Sequence, residues 1–275
     1  MHEHNSASVE RIRAPLRAGI SPASDQCALI CLPYAGGGSI AYRHWRHLDL
    51  GLKIKNELVA LDYPGHLMRP EEPLSYSMSD LADVLMGEVT RRWERPFILC
   101  GASLGGLVAF ELAKRAETAG HPPLALITAA CAAPYARTIS YSVSNLSDDA
   151  FIQLVTERYD GAIGGILQDR KTREILLPIL RADMLIVEKY TSSQDRTMLS
   201  SDIIAIAGED DRAVSLNEAA RWREHTTGQT HLVSVPGNHF FVETHAEEVA
   251  ARLRTIFRHV GGVATHRPVV QRPTQ

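Results

Sequence analysis

The chain has little of what marks secreted, metal-binding, membrane-bound or nucleic-acid-binding proteins. Its 275 residues include four cysteines. Cys27, Cys31, Cys100 and Cys131 form no C-x-x-C pair and no Cys/His metal spacing, which argues against a disulfide framework or a zinc site; they lie in or beside apolar runs, where cysteine acts as a small hydrophobe. No apolar run approaches the roughly 18 residues that span a bilayer, and the opening Met1-His-Glu-His-Asn-Ser lacks the apolar core of a secretion signal. Neither sign of charge dominates, since 29 Lys and Arg against 32 Asp and Glu leave a formal net charge of −3. There is thus no basic footprint for nucleic acid or an anionic membrane. A cytoplasmic protein, favoured as a monomer, is the expectation.

What is present is an alternation of short apolar runs with helical patterns. Strands are predicted near Cys27 to Leu32, Leu58 to Leu61, Phe97 to Cys100, Leu124 to Ala130, Ile203 to Ala207 and His231 to Val235. Such alternation predicts an α/β fold, a mostly parallel sheet with helices on both faces. Helix starts are marked by Ser77-Met-Ser-Asp80, Ser215-Leu-Asn-Glu218 and Thr244-His-Ala-Glu247, the last in capping-box form. Residues 1–24 and 261–275 read as flexible tails around a domain over 25–260.

One region breaks the alternation. From about 134 to 200 no strand-like run appears. Ser147 opens one helix there, and Asp169 to Tyr190 forms a longer one with apolar Ile175, Leu176, Ile179, Leu180, Met184 and Val187. A helical excursion between two strands is placed to cover the carboxyl edge of the sheet as a lid, with Gly161, Gly164 and Gly165 as a hinge.

The chemistry is concentrated at the strand ends. Gly101-Ala-Ser103-Leu-Gly105, after an apolar strand and before a helix, has the G-x-S-x-G form of a nucleophile elbow, a sharp turn that holds the serine hydroxyl above the sheet. Five letters alone match a chain of this length by chance roughly one time in ten, so the flanking strand and helix carry the reading. A serine hydroxyl needs a base, and the base needs a carboxylate to fix its tautomer. The order expected after such an elbow is serine, acid, histidine. Ile203-Ile-Ala-Ile-Ala-Gly-Glu-Asp-Asp211 delivers an acid at a strand end, Asp211 in preference to its neighbour Asp210. Val233-Ser-Val-Pro-Gly-Asn-His239 delivers a histidine at the next. Of twelve histidines, His239 alone follows a strand after the acid; His44, His47, His121 and His225 read as solvated, and His66 as a possible border of the pocket.

A developing oxyanion calls for two backbone N–H groups. Leu104, after the nucleophile, is one, and Ala35 in Leu32-Pro-Tyr-Ala-Gly-Gly-Gly38 is the other. That glycine-rich loop lacks G-x-G-x-x-G spacing and a Walker lysine, which argues against a nucleotide site.

Taken together, Leu32-Pro-Tyr-Ala-Gly-Gly-Gly, Leu61-Asp-Tyr-Pro-Gly-His66, Gly101-Ala-Ser-Leu-Gly-Gly, Leu177-Pro-Ile-Leu-Arg-Ala-Asp183, Gly208-Glu-Asp-Asp211, Ala220-Arg-Trp-Arg-Glu-His-Thr-Thr-Gly228 and Pro236-Gly-Asn-His-Phe-Phe241 resemble the type II thioesterases of polyketide synthase and non-ribosomal peptide synthetase assembly lines. The resemblance implies an α/β-hydrolase fold with a helical lid. It also implies cofactor-free hydrolysis of acyl groups from the phosphopantetheine arm of acyl or peptidyl carrier proteins, with Ser103, Asp211 and His239 as triad. There are two departures. Ala102 stands where such elbows commonly carry His, and Arg158-Tyr-Asp-Gly-Ala-Ile-Gly-Gly165 differs from the usual lid stretch. The same triad also serves carboxylesterases, lipase-like enzymes and acyltransferases, and the fold without catalysis serves as a carrier-protein docking module.

Overall fold

The computed structural model describes residues 27–52, 58–136, 142–159, 161–191 and 196–261. Six strands are present, β1 (Ala28–Leu32), β2 (Leu58–Ala60), β3 (Phe97–Ala102), β4 (Ala125–Ala129), β5 (Asp202–Gly208) and β6 (Thr230–Val235). They form one sheet in the order β2-β1-β3-β4-β5-β6 with every neighbouring pair parallel. Each predicted strand is found. The predicted tails lie outside the described residues except at Gly261, which ends the last helix.

Side-chain alternation along the strands sorts the core into two layers. Leu29, Cys31, Ile98, Cys100, Ile127 and Ile204 face α8 (Ala246–Gly261) through its Val249, Leu253, Ile256 and Phe257. Ile30, Leu32, Leu99, Leu126 and Ile203 face the other side, where α1 (Met78–Thr90) and α2 (Leu104–Thr118) supply Leu81, Leu85, Val108 and Leu112. Every strand residue from Ala28 to Leu32 and from Phe97 to Ala102 is buried, as a parallel sheet covered on both faces requires. Each fully buried Leu or Ile contributes about 1.5–3 kcal/mol relative to exposure. All four cysteines are buried within this core.

The starts of the helices follow the sequence in part. Ser77 accepts a hydrogen bond from Asp80 N–H at the head of α1, and Ser147 accepts from Ala150 N–H at the head of α3 (Asp148–Arg158). Ser215 and Glu218 form a full capping box on α6 (Leu216–Ala220). Thr244 does not cap α8. It is the last residue of the short α7 (Phe241–Thr244), and its hydroxyl and N–H both bond back to Phe240 O.

Between β4 and β5 lie α3, α4 (Ala162–Ile166) and α5 (Arg170–Thr191). They share an apolar cluster of their own, with Phe151, Val155, Tyr159, Leu167, Leu177, Leu180 and Met184 buried. Cluster members Ala213, Ala35 and Phe240 come from loops at the carboxyl edge of the sheet, so the insertion covers that edge. Two expectations are corrected. Ile175 is 70% exposed, because the buried stripe of α5 begins two residues later at Leu177. Of the three expected hinge glycines only Gly161 has a positive φ (73°), while Gly164 and Gly165 lie inside α4, where Gly164 fits closely against Thr156 of α3.

The crossing of β3 with α2 is the tightest place in the fold. A Cβ on Gly101 would lie 1.9 Å from Gly105 O, and one on Gly105 would lie 2.1 Å from Leu32 O. We expect Gly105→Ala to destabilise the protein by about 3 kcal/mol, because backbone of β1 rather than a flexible side chain must give way. A urea midpoint equal to that of the wild type would contradict this reading of the crossing.

Candidate active site

Ser103 joins β3 to α2 with φ 52° and ψ −116°, a region that L-residues rarely occupy and that persists only when neighbours hold it. Its N–H donates to Ala129 O of the adjacent strand at 2.8 Å. Gly106, one turn on, packs so near Cys131 that a Cβ there would meet Sγ at 2.7 Å. Cys131 is held in turn, since Trp222 Nε1–H donates to its carbonyl at 2.9 Å. The late Ala220 to Gly228 stretch therefore buttresses the elbow. His225 belongs to this buttress: it is buried against Trp222 and Phe110 rather than solvated, and Nε2 lies 3.2 Å from Pro134 O.

The acid and the base arrive on adjacent strands. Glu209 N–H donates to Val235 O and Asp210 N–H to Gly237 O, at 2.9 and 3.0 Å, which ties the loop after β5 to the loop after β6. Gly237, at φ 106°, turns the second loop. Asp211 then folds back, with Oδ1 accepting from Ala213 N–H and Val214 N–H at 2.8 and 3.1 Å. Its Oδ2 lies 2.9 Å from His239 Nδ1, and His239 Nε2 lies 2.9 Å from Ser103 Oγ. The Asp211 side chain is fully buried and that of His239 is 5% exposed. Because a carboxylate only accepts, Nδ1 carries the proton and Nε2 is left to accept from the serine hydroxyl. The structure thus brings Ser103, Asp211 and His239 into one hydrogen-bonded line, whereas Asp210 is exposed.

A cavity of about 40 Å³ opens beside Ser103 and His239, walled by Leu104 and Leu107 of α2, Tyr159 after α3, Met184 and Val187 of α5, and Val214. Leu104 N–H sits at the first position of α2, among the amides a helix leaves without an intrahelical acceptor. Ala35 lines a different cavity, of about 390 Å³, with Leu67, Ile166, Leu176, Leu180 and Phe240. Phe240, next to His239, packs at 5.0 Å from the Tyr34 ring and 6.1 Å from that of Tyr159, so aromatic rings separate the two spaces.

A buried ion pair was not anticipated from the sequence. Asp183 of α5 and His66 are 2% and 3% exposed, and His66 Nε2 lies 3.0 Å from Asp183 Oδ2. The signal was available: Asp183 falls on the apolar stripe of α5 beside Leu180 and Met184, and an acid on such a stripe is buried only with a partner. His66 Nδ1 lies 3.0 Å from Pro64 O, an acceptor only, so both ring nitrogens face acceptors and the imidazolium is the form that satisfies both. Burial lowers its pKa, but the Asp183 carboxylate, Pro64 O and the nearby Asp62 outweigh burial and raise it above the usual 6.5.

The sheet order, the elbow and the helical insertion at the carboxyl edge define an α/β-hydrolase. Residues 28–257 match the family model described as a thioesterase domain, and the chain belongs to that family. Among curated proteins it is 34% identical over 226 residues to the probable cadicidin biosynthesis thioesterase of Streptomyces griseus, covering 82% of this chain and 61% of that one. It is 35% identical to the AMB antimetabolite synthetase AmbE of Pseudomonas aeruginosa over 90% of this chain, which spans only 11% of AmbE. To thioesterase PikA5 of Streptomyces venezuelae it is 32% identical over 90% of this chain and 86% of that protein. Among solved structures it is similar to ClbQ from the colibactin pathway, with a TM-score of 0.77, 27% identity and coverage of 87% of this chain and 100% of that one. It is also similar to the type II thioesterase BorB of the borrelidin cluster, with a TM-score of 0.73, 30% identity and coverage of 89% and 98%.

The raised pKa of His66 sets a direction for stability against pH. Because the folded value lies above the unfolded one, the stabilisation is complete below about pH 6.5 and is lost as pH rises through the folded pKa. We expect the melting temperature of His66→Gln to fall furthest below wild type in mildly acidic buffer and the gap to narrow in alkaline buffer. A gap that widens with pH would show that the ring is neutral in the folded protein.

Proposed function

We propose that this chain hydrolyses acyl thioesters borne on the phosphopantetheine arm of carrier proteins, clearing aberrant or stalled acyl groups from polyketide or non-ribosomal peptide assembly lines in the cytoplasm. The observation that carries the catalytic part is His239 standing at 2.9 Å from both Ser103 Oγ and Asp211 Oδ2 under a helical cover. The carrier-bound substrate class is supported by relatives named as biosynthesis thioesterases and by a neighbour titled a type II thioesterase.

In this reading Ser103 Oγ attacks the thioester carbonyl as its proton passes to His239 Nε2. Asp211 stabilises the imidazolium through Nδ1–H and keeps the ring oriented. The carbonyl oxygen, now anionic, is met by the N–H groups of Leu104 and Ala35. Collapse expels the pantetheine thiolate, which takes the proton from His239. Water then repeats the sequence on the acyl-enzyme, with His239 as base, and releases the free acid and Ser103. No metal or organic cofactor takes part in these steps.

We expect Ser103→Ala to lower acyl release from an acyl-loaded carrier protein by about 10⁴-fold or more without changing the melting temperature. Asp211→Asn is expected to cost about 10⁴-fold in kcat, whereas Asp210→Asn retains near wild-type rates. Steady-state hydrolysis assays check all three, and a large loss confined to Asp210→Asn would reassign the acid. Faster turnover of matched oxygen esters than of acyl-pantetheine would overturn the thioester assignment while leaving the triad in place.

A further inference from the structure

The loop that carries Ala35 is tied along its length, with the Tyr34 side chain donating to Glu243 Oε2 at 2.9 Å and the backbone held at its start, middle and end. At its start, Tyr63 O–H donates to Pro33 O at 2.8 Å. At its end, Asp62 accepts from Ser39 N–H at 2.6 Å and from Ser39 O–H at 3.0 Å. Both of these ties come from the segment after β2, which is anchored in the body of the fold. The middle tie is different: Gly36 N–H donates to Asp183 Oδ2 at 2.7 Å, and Asp183 belongs to helix α5 of the lid. The same oxygen receives His66 Nε2–H at 3.0 Å, and His66 belongs to the body.

We propose that Asp183 is a positioning residue that makes the oxyanion loop depend on the seating of the lid, by holding Gly36 N–H and His66 on one buried carboxylate. This deepens the proposed function and rests on its assignment of Ser103 as nucleophile and Ala35 as oxyanion donor. Gly36 directly follows Ala35, so the peptide fixed by Asp183 begins at the carbonyl of the residue assigned as the second oxyanion donor. Gly36 also has φ 71°, and a Cβ there would meet Leu180 Cδ1 of α5 at 3.0 Å, so loop and helix fit closely as well as bond. With α5 displaced, the ends of the loop stay tied to Asp62 and Tyr63 and the Tyr34 hydroxyl stays on Glu243 at 2.9 Å, but Gly36 N–H, in the peptide next to Ala35, loses its carboxylate. The peptide that follows Ala35 then shifts, and the serine attacks with an incomplete oxyanion hole. The enzyme is switched on by lid seating through a hydrogen bond that never touches substrate.

The test uses the full chain with acetyl-pantetheine as a soluble thioester, a melting curve for every variant, and an alkylboronic acid whose tetrahedral adduct on Ser103 places an oxygen in the oxyanion position. Asp183→Ala removes both contacts. The expected result is a kcat lowered roughly 10- to 100-fold, KM within about twofold, and boronate affinity lowered in parallel. Asp183→Asn keeps an acceptor for Gly36 N–H but loses the ion pair with His66. It is expected to recover most of kcat while its melting temperature stays low, a separation of rate from stability that a purely structural role does not produce. Should Asp183→Ala fail to fold, Asp183→Ser, polar but too short to reach Gly36, takes its place with the same expectation. Normal kcat in the truncated variant, a loss confined to KM, or rates that track melting temperature across all variants would overturn the proposal. Ser103→Ala serves as the control: if it retains turnover, the reading of the site fails first, whereas an inactive Ser103→Ala beside a fully active Asp183→Ala defeats the clamp alone.

Discussion

The structure depends most on a close approach of backbones. β3 can turn into α2 at Ser103 only because Gly101 meets Gly105, and Gly105 meets β1 at Leu32, with no side chain between them. That approach imposes the φ of 52° on Ser103 and lifts its hydroxyl above the carboxyl edge of the sheet. The strain is resisted by the hydrogen bond from Ser103 N–H to β4 and by the packing of Cys131 and Trp222 behind α2. A serine on a relaxed turn would lie closer to the sheet, out of line with a base arriving from β6, three strands away.

The other parts of the site are placed by the same economy of strand ends. β5 and β6 are neighbours, so Asp211 and His239 need only short loops to meet, and two backbone hydrogen bonds between those loops fix their spacing. The loop that carries Ala35 follows β1, the other neighbour of β3. It is tied by the segment after β2, the next strand outward. Sheet order alone therefore brings Ser103, His239, Asp211 and the Ala35 loop to one edge. The helical insertion does not come from a strand end; it is joined to the rest by packing, by the Asp183 contacts and by hydrogen bonds such as Arg158 to Ala213 O and Tyr190 O–H to Glu111.

This division explains what could be read from the sequence. Strands, elbow, acid and base are local patterns: an apolar run, a glycine turn, a charged residue at its end. Ser103, Asp211 and His239 were legible because each is announced within a few residues of itself. The His66–Asp183 pair spans 117 positions, and no local pattern joins its halves, although an acid on the buried stripe of α5 was a visible anomaly. His225 misled because its neighbours in sequence are charged, whereas its neighbours in space are Trp222 and Phe110. Thr244 misled for the opposite reason. Its local pattern was right for a cap, but α7 reaches it first and uses its hydroxyl at a helix end.

The placement of two consecutive residues on α5 links space to chemistry. Met184 walls the cavity of about 40 Å³ beside Ser103, and Asp183 holds the oxyanion loop on the neighbouring face. A cavity of that size has room for few atoms beyond the reacting carbonyl. Met184 is unbranched and flexible, so small increases in acyl volume are absorbed by its side chain, with the loss of the weak contact from Tyr159 O–H to its sulfur at 3.7 Å. Larger increases press on the helix itself. Any shift of α5 that makes room beside Ser103 also draws on Asp183, whose two hydrogen bonds at 2.7 and 3.0 Å tolerate little stretching. Under the proposed function, the size of the acyl group and the completeness of the oxyanion hole are therefore not independent. Under the proposed function, acyl selectivity therefore appears in kcat, through the geometry of the Ala35 loop, as well as in binding.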